Sequence, residues 1–206
     1  MKKICLLLAA ALLASLMMSC GAAAVSEDEG AMPFADVSAD AYYADAVRWC
    51  WENGVMQGTA EDSFSPDEAV TRGQIVTILW RLAGSPAAEG DRFADIPSTA
   101  YCSEAAAWAK QAGIAAGYDD NTFAPNAAVS RADFAALLWR YAGESAPSAD
   151  ADFTDAAQIP AYAVTAAAWA QEQGIITGRD GGAFAPNETA TRAEAAVIIS
   201  RYFAAD

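Results

Sequence analysis

The sequence predicts an all-α fold of three helix-loop-helix repeats packed as one body. Three observations point there: a motif written three times, turn and cap residues that punctuate each copy alike, and apolar residues at helical spacing. Each copy opens on an aromatic-x-Asp, at Phe34-Ala35-Asp36, Phe93-Ala94-Asp95 and Phe153-Thr154-Asp155. A Trp then precedes a Gly by five residues, at Trp49/Gly54, Trp108/Gly113 and Trp169/Gly174. Gly58, Gly117 and Gly178 each stand six residues before Phe64, Phe123 and Phe184, and Pro66, Pro125 and Pro186 follow two places on. Hydroxyl-Arg closes each copy ahead of an apolar run, at Thr71-Arg72, Ser130-Arg131 and Thr191-Arg192. The period is about 60 residues, and the repeats fall at 34–84, 93–143 and 153–203. A unit of that size buries only a modest core and is marginal alone. The linkers, 84–90 and 143–149, are short, so one compact body is expected rather than three beads.

The chain begins differently. Residues 1–20 read as a signal peptide: Lys2 and Lys3, an apolar stretch from Ile4 to Met18, then small Ser19 before Cys20. That stretch is short for a membrane span. The setting of Cys20 resembles the lipobox of bacterial lipoproteins, in which the cysteine carries the lipid. It departs from that pattern in having Met17 where Leu is usual, and cleavage after Ala22-Ala23-Ala24 is the rival. Residues 21–33 are small, acidic and aperiodic, as a flexible spacer is.

Within a repeat the first helix is clearest in Ala105–Ala112, a run of strong helix formers stopped by Gly113. The loop that follows, as at 117–125 and 178–186, collects Gly, Asp and Asn. It lacks the alternating oxygen ligands and closing Glu of a calcium loop, so turns are expected and no metal site. The second helix starts at the hydroxyl-Arg. Thr71 with Gln74 and Thr191 with Glu194 fit a capping box, and Ser130 with Asp133 is a shorter-armed version. Ile75, Val76, Ile78 and Leu79, then Phe134, Leu137 and Leu138, then Val197, Ile198 and Ile199 supply the buried faces.

Composition narrows the function. The chain has 27 Asp and Glu, 12 Lys and Arg, and no His. That balance excludes the basic face that nucleic acid requires. Export permits a disulfide, but Cys50 and Cys102 do not hold equivalent positions, and two unpaired buried thiols are expected. Paired carboxylates could serve a glycan-processing enzyme. Here, however, the conspicuous acids have repeat, capping or turn explanations, so a binding module is expected and not an enzyme, with no cofactor.

Capping does not explain Arg72, Arg131 and Arg192. An Arg at the first position of a helix opposes the dipole mildly, and its loss should leave stability nearly unchanged. Beside free helix N–H groups it would make an anion site. The alternative is pairing with the local carboxylates Asp36, Asp95 and Asp155. Arg81, Arg140 and Arg201, near the helix ends, suit the dipole and read as structural. Trp49, Trp108 and Trp169 divide between core packing and stacking on a sugar face.

These motifs together resemble the S-layer homology (SLH) domain family of bacterial cell envelopes, as three consecutive modules over nearly all of 34–203. The resemblance implies a pseudo-threefold body with a central three-helix bundle. It also implies grooves that hold secondary cell-wall polysaccharide non-covalently, often through a pyruvate ketal. Position by position it puts the ligand-binding Arg on Arg72, Arg131 and Arg192, the Trp on Trp49, Trp108 and Trp169, and the acid on Asp36, Asp95 and Asp155. The third unit keeps the signature Thr191-Arg192-Ala193-Glu194 intact, whereas the first, with Gly73 and Gln74, departs from it most. The expected partners are thus wall polysaccharide, the membrane through a lipid on Cys20, and a second envelope protein. A scaffold for protein partners is the alternative use. The expected location is the cell envelope, after export, as a membrane-tethered lipoprotein, in association with the cell wall, or both.

Overall fold

Six helices carry the structure, a computed structural model that describes Met32 to Ala205 except Asp91, Asp119 and Asp180. They are α1 (Ala44–Glu52), α2 (Arg72–Leu82), α3 (Ser103–Gln111), α4 (Arg131–Tyr141), α5 (Val164–Glu172) and α6 (Arg192–Ala205), with short 3-10 turns at Ala156–Gln158 and Ala161–Ala163. No strand or sheet occurs among the described residues, and the only extended pairing there is isolated bridges. None of these helices is long and apolar enough to cross a membrane. The leader, Cys20 and the spacer to Ala31 lie outside the described residues.

Each repeat folds by the same local chemistry. The first helix ends where Gly54, Gly113 or Gly174 turns left-handed, at φ 67°, 72° and 68°. The next two N–H groups then fold back on one carbonyl: Val55 and Met56 on Cys50 O, Ile114 and Ala115 on Ala109 O, Ile175 and Ile176 on Ala170 O. The chain next passes Gly58 or Gly117 against the opening phenylalanine. A Cβ on Gly117 would lie 2.4 Å from Phe93 Cε1 and 2.6 Å from Thr122 O, so only glycine fits there. The loop ends by burying Phe64, Phe123 or Phe184 completely.

The second helices are capped as the spacing predicts. Thr71 Oγ1 accepts from Gln74 N–H at 3.3 Å while Gln74 Oε1 accepts from Thr71 N–H at 3.1 Å. Thr191 and Glu194 repeat this at 3.2 and 3.0 Å. Ser130 Oγ accepts from Asp133 N–H at 3.0 Å, but the shorter carboxylate meets the Ser130 hydroxyl instead of its backbone.

What closes the body lies between repeats. Val70 N–H donates to Ala190 O, Ala190 N–H to Val129 O, and Val129 N–H to Val70 O, each at 2.9 Å. These three residues are fully buried, so the bonds form a cycle away from water in which every repeat holds the next. Helix pairing also crosses repeats: α1 packs on α6, α3 on α2 and α5 on α4, each first helix against the second helix of a neighbouring repeat, and α2 touches α4 as well. The cores merge into one cluster running from Phe34 to Ile199. Cys50 and Cys102 are buried and unpaired; burial pushes the Cys50 thiol up to about 12.

Candidate functional site

The site is built from the opening aspartate upward. Asp36 accepts the N–H groups of Phe64 at 2.8 Å and Ser65 at 2.7 Å. Asp95 does the same for Phe123 and Ala124 at 2.8 and 2.7 Å, and Asp155 for Phe184 and Ala185 at 2.7 and 2.8 Å. The second residue of each pair is strained: Ser65, Ala124 and Ala185 sit at φ 56°, 55° and 54° without being glycine. The carboxylate holds that turn. Burial pushes the Asp36 carboxyl up, but the donors Phe64 N–H, Ser63 Oγ–H and Ser65 N–H outweigh it, and the group sits below its ordinary value.

The turn so fixed presents the phenylalanine carbonyl to an arginine from another repeat. Arg192 Nε donates to Phe64 O at 2.7 Å, Arg72 Nε to Phe123 O at 2.8 Å, and Arg131 Nε to Phe184 O at 2.7 Å. The guanidinium carbons lie 4.6, 4.7 and 5.7 Å over the rings of the same phenylalanines. Arg131 and Arg192 are only 4% exposed. The three arginines therefore neither pair with Asp36, Asp95 and Asp155 nor stand beside free helix N–H groups. Those N–H groups are taken: Arg72 and Gly73 donate to Ala127 O and Pro125 O, Arg131 and Ala132 to Glu188 O and Pro186 O, Arg192 and Ala193 to Glu68 O and Pro66 O. The carboxylates hold the loops, and the arginines lock each loop to its neighbour.

Three hollows open around this lock, one on each second helix. The hollow on α2 is about 520 Å³, that on α4 about 270 Å³ and that on α6 about 680 Å³. Corresponding residues line all three. The signature arginine comes from another repeat: Arg192 on α2, Arg72 on α4, Arg131 on α6. The third helical residue is Gln74, Asp133 or Glu194, and the arginine near the helix end is Arg81, Arg140 or Arg201. Each of these last donates through Nη1 to a loop carbonyl of its own repeat, Val55 O, Ile114 O or Ile175 O. They are structural, as expected, and they also line the hollows.

A tyrosine completes each rim. Tyr101, Tyr162 and Tyr42 serve α2, α4 and α6 in turn and are 61%, 51% and 74% exposed. The motif reading passed over them, although an Ala-Tyr eight or nine residues after each opening phenylalanine was there to be seen. Burial and a hydrogen bond to Asp133 push Tyr162 up to about 12. Trp49, Trp108 and Trp169 are not among the residues lining these hollows. Trp49 lies tilted against Phe203 at 5.1 Å between centroids, Trp108 meets Tyr141 edge-on, and Trp169, 5% exposed, packs on Tyr202. The structure brings the arginines into hollows, the aspartates beneath them, and the tryptophans onto the helix contacts.

Comparison with known proteins adds the ancestry. The family model described as S-layer homology domain matches residues 33–76, 92–135 and 152–196. An endoglucanase of Bacillus sp. (strain KSM-635) is 32% identical over 95% of this chain and 21% of its own. The surface-layer 125 kDa protein of Lysinibacillus sphaericus is 31% identical over 78% of this chain and 14% of its own. The S-layer protein of Bacillus thuringiensis subsp. finitimus is 27% identical over 82% and 21%. The chain thus spans about a fifth or less of these relatives.

Proposed function

We propose, from the S-layer homology domain family to which this chain belongs, that it is a cell-wall attachment module. It binds secondary cell-wall polysaccharide non-covalently in the hollows on its second helices, with a pyruvate ketal as the charged group recognised. The observation that carries this reading is the repeated pairing of a guanidinium held on a loop carbonyl, buried for Arg131 and Arg192 and half-buried for Arg72, with an exposed tyrosine at the rim of an open groove. A fixed arginine fork suits a carboxylate, and a tyrosine ring with its hydroxyl at a wet edge suits a sugar face. Holding Arg192 by its Nε on Phe64 O and one Nη2 on Gln57 O at 2.8 Å sets its orientation before any ligand arrives, which lowers the cost of binding.

The relatives support attachment over catalysis. An endoglucanase and two surface-layer proteins differ in what their names say of activity yet share this region, as a common attachment module would. In this reading Arg72, Arg131 and Arg192 recognise charge. Asp36, Asp95 and Asp155 shape the groove from below, and the tryptophans hold the helices that frame it. A lipid on Cys20 would add a membrane tether, and mass spectrometry of the mature amino terminus tests that separately.

Co-sedimentation with purified cell-wall sacculi tests the function. The protein should pellet with intact sacculi and stay in solution once the secondary polysaccharide has been extracted. Pelleting equally with bare peptidoglycan, or with neither, would contradict it.

A further inference from the structure

We infer that the contact between α1 and α6 carries a second site, a docking slot for an extended segment of a partner protein that presents a large aromatic side chain and an arginine. The slot shares Arg201 with the lining of the α6 groove, but it does not depend on what the grooves bind.

The two corresponding contacts are covered by the chain itself. After α2 the linker runs along α3. Trp80 Nε1 donates to Pro86 O at 2.8 Å and Glu89 N–H to Gln111 Oε1 at 3.3 Å. Just beyond the linker, the Arg92 guanidinium donates to Ser103 Oγ and pairs with Glu104. After α4 the next linker treats α5 alike. Trp139 Nε1 donates to Ser145 O at 2.8 Å, and Ser148 N–H meets the Glu172 carboxylate at 3.2 Å. Each contact thus uses an indole one residue before Arg81 or Arg140, and an acceptor three residues after the repeat Trp.

On α6 the residue before Arg201 is Ser200, whose hydroxyl donates to Val197 O at 3.1 Å. Where the indole would stand there is a hollow of about 470 Å³ lined by Asp45, Ala46, Trp49, Ser200 and Phe203. Ala46 is half-buried there, whereas its counterparts Ala105 and Ala166 are fully buried. Phe203 is 39% exposed. Asp45 holds the place of Glu104, and Glu52 the place of Gln111 and Glu172. Neither acid forms an ion pair among the described residues. The acceptors that hold a linker elsewhere are in position, with an apolar slot between them.

These groups set the chemistry of the occupant. A ring entering the slot gains apolar contact with Trp49 and Phe203. A guanidinium on Asp45 repeats the pairing of Arg92 with Glu104. Glu52 is placed to take a peptide N–H, which an extended backbone offers. The charge of this chain, −15, favours a basic segment. It disfavours a second copy of the chain and an anionic polysaccharide alike.

Isothermal titration of the intact protein with a short blocked peptide tests this. The peptide carries one Trp six residues before one Arg, the spacing from Pro86 to Arg92, with small residues and proline between. The parent should bind it one to one. Replacing either the Trp or the Arg of the peptide by Ala should weaken binding roughly tenfold or more, as loss of one buried or charge-assisted contact does. Ser200→Trp fills the slot as Trp80 and Trp139 do and should weaken binding by the same factor. Its melting temperature should not fall, and it should still pellet with sacculi. Asp45→Lys, at an exposed position, should weaken binding likewise and decides alone if Ser200→Trp fails to fold. A parent that binds no peptide, or variants that bind it like the parent, would overturn the proposal and leave the wall reading intact. A dimer in sedimentation that Ser200→Trp abolishes would give the slot to a second copy. Loss of sacculus pelleting in Ser200→Trp would give it to the polysaccharide. Either result overturns the assignment to a partner protein.

Discussion

At the scale of single residues, the repeat is a chain of two dependencies: a carboxylate fixes a strained turn, and the turn's carbonyl fixes an arginine from another repeat. Arg192 lies buried on Phe64 O and Gln57 O, so the expectation that losing its charge leaves stability unchanged gives way. Arg192→Lys keeps the charge and loses the fork. It should cost about 1.5–3 kcal/mol in chemical denaturation, the range for hydrogen bonds to charged groups. Asp36 makes the pH dependence readable. Its native pKa lies below its ordinary value, so its contribution is complete above about pH 4 and is lost as pH falls through the lowered native value. Asp36→Asn should therefore be less stable than the parent at pH 6, with the difference shrinking toward pH 2, as followed by urea melts. A constant difference would mean that the carboxylate's charge is irrelevant to the turn.

At the scale of elements, most of the fold was legible and the site only in part. Caps, helix stops and buried faces are local, carried by residues a few positions apart, so Thr71, Gly113 and the Ile75–Leu79 face read directly from spacing. Thr191→Ala should cost about 1 kcal/mol by thermal melt. Gly117→Ala, at φ 76° and against Phe93 and Thr122, should cost more, about 2 kcal/mol. What was not legible depends on sequence-distant partners. That the helix N–H groups are spent on Pro125 O or Pro66 O, and that Asp36 faces the backbone rather than an arginine, follows from packing between repeats. The hydroxyl-Arg signature shows only that something needs the arginine. Its partner, from 51 to 128 residues away, has no local mark.

At the scale of the whole molecule, the cycle through Val70, Ala190 and Val129 and the crossed helix pairs make each repeat depend on the others. A chain stopped at residue 150 loses the partners of α1 and α4 together with the Arg192 lock on Phe64. It should show no cooperative melt at the temperature of the intact protein. A matching transition would mean that the repeats stand alone as beads. The same closure sets the grooves around one body and gives the attachment reading its geometry. Its most direct test is a titration of the intact protein with free, soluble wall polysaccharide before and after mild-acid removal of the ketals. The account predicts saturable binding to the pyruvylated polymer and at least a tenfold loss once the carboxylates are gone, while equal affinity for the two forms would contradict it.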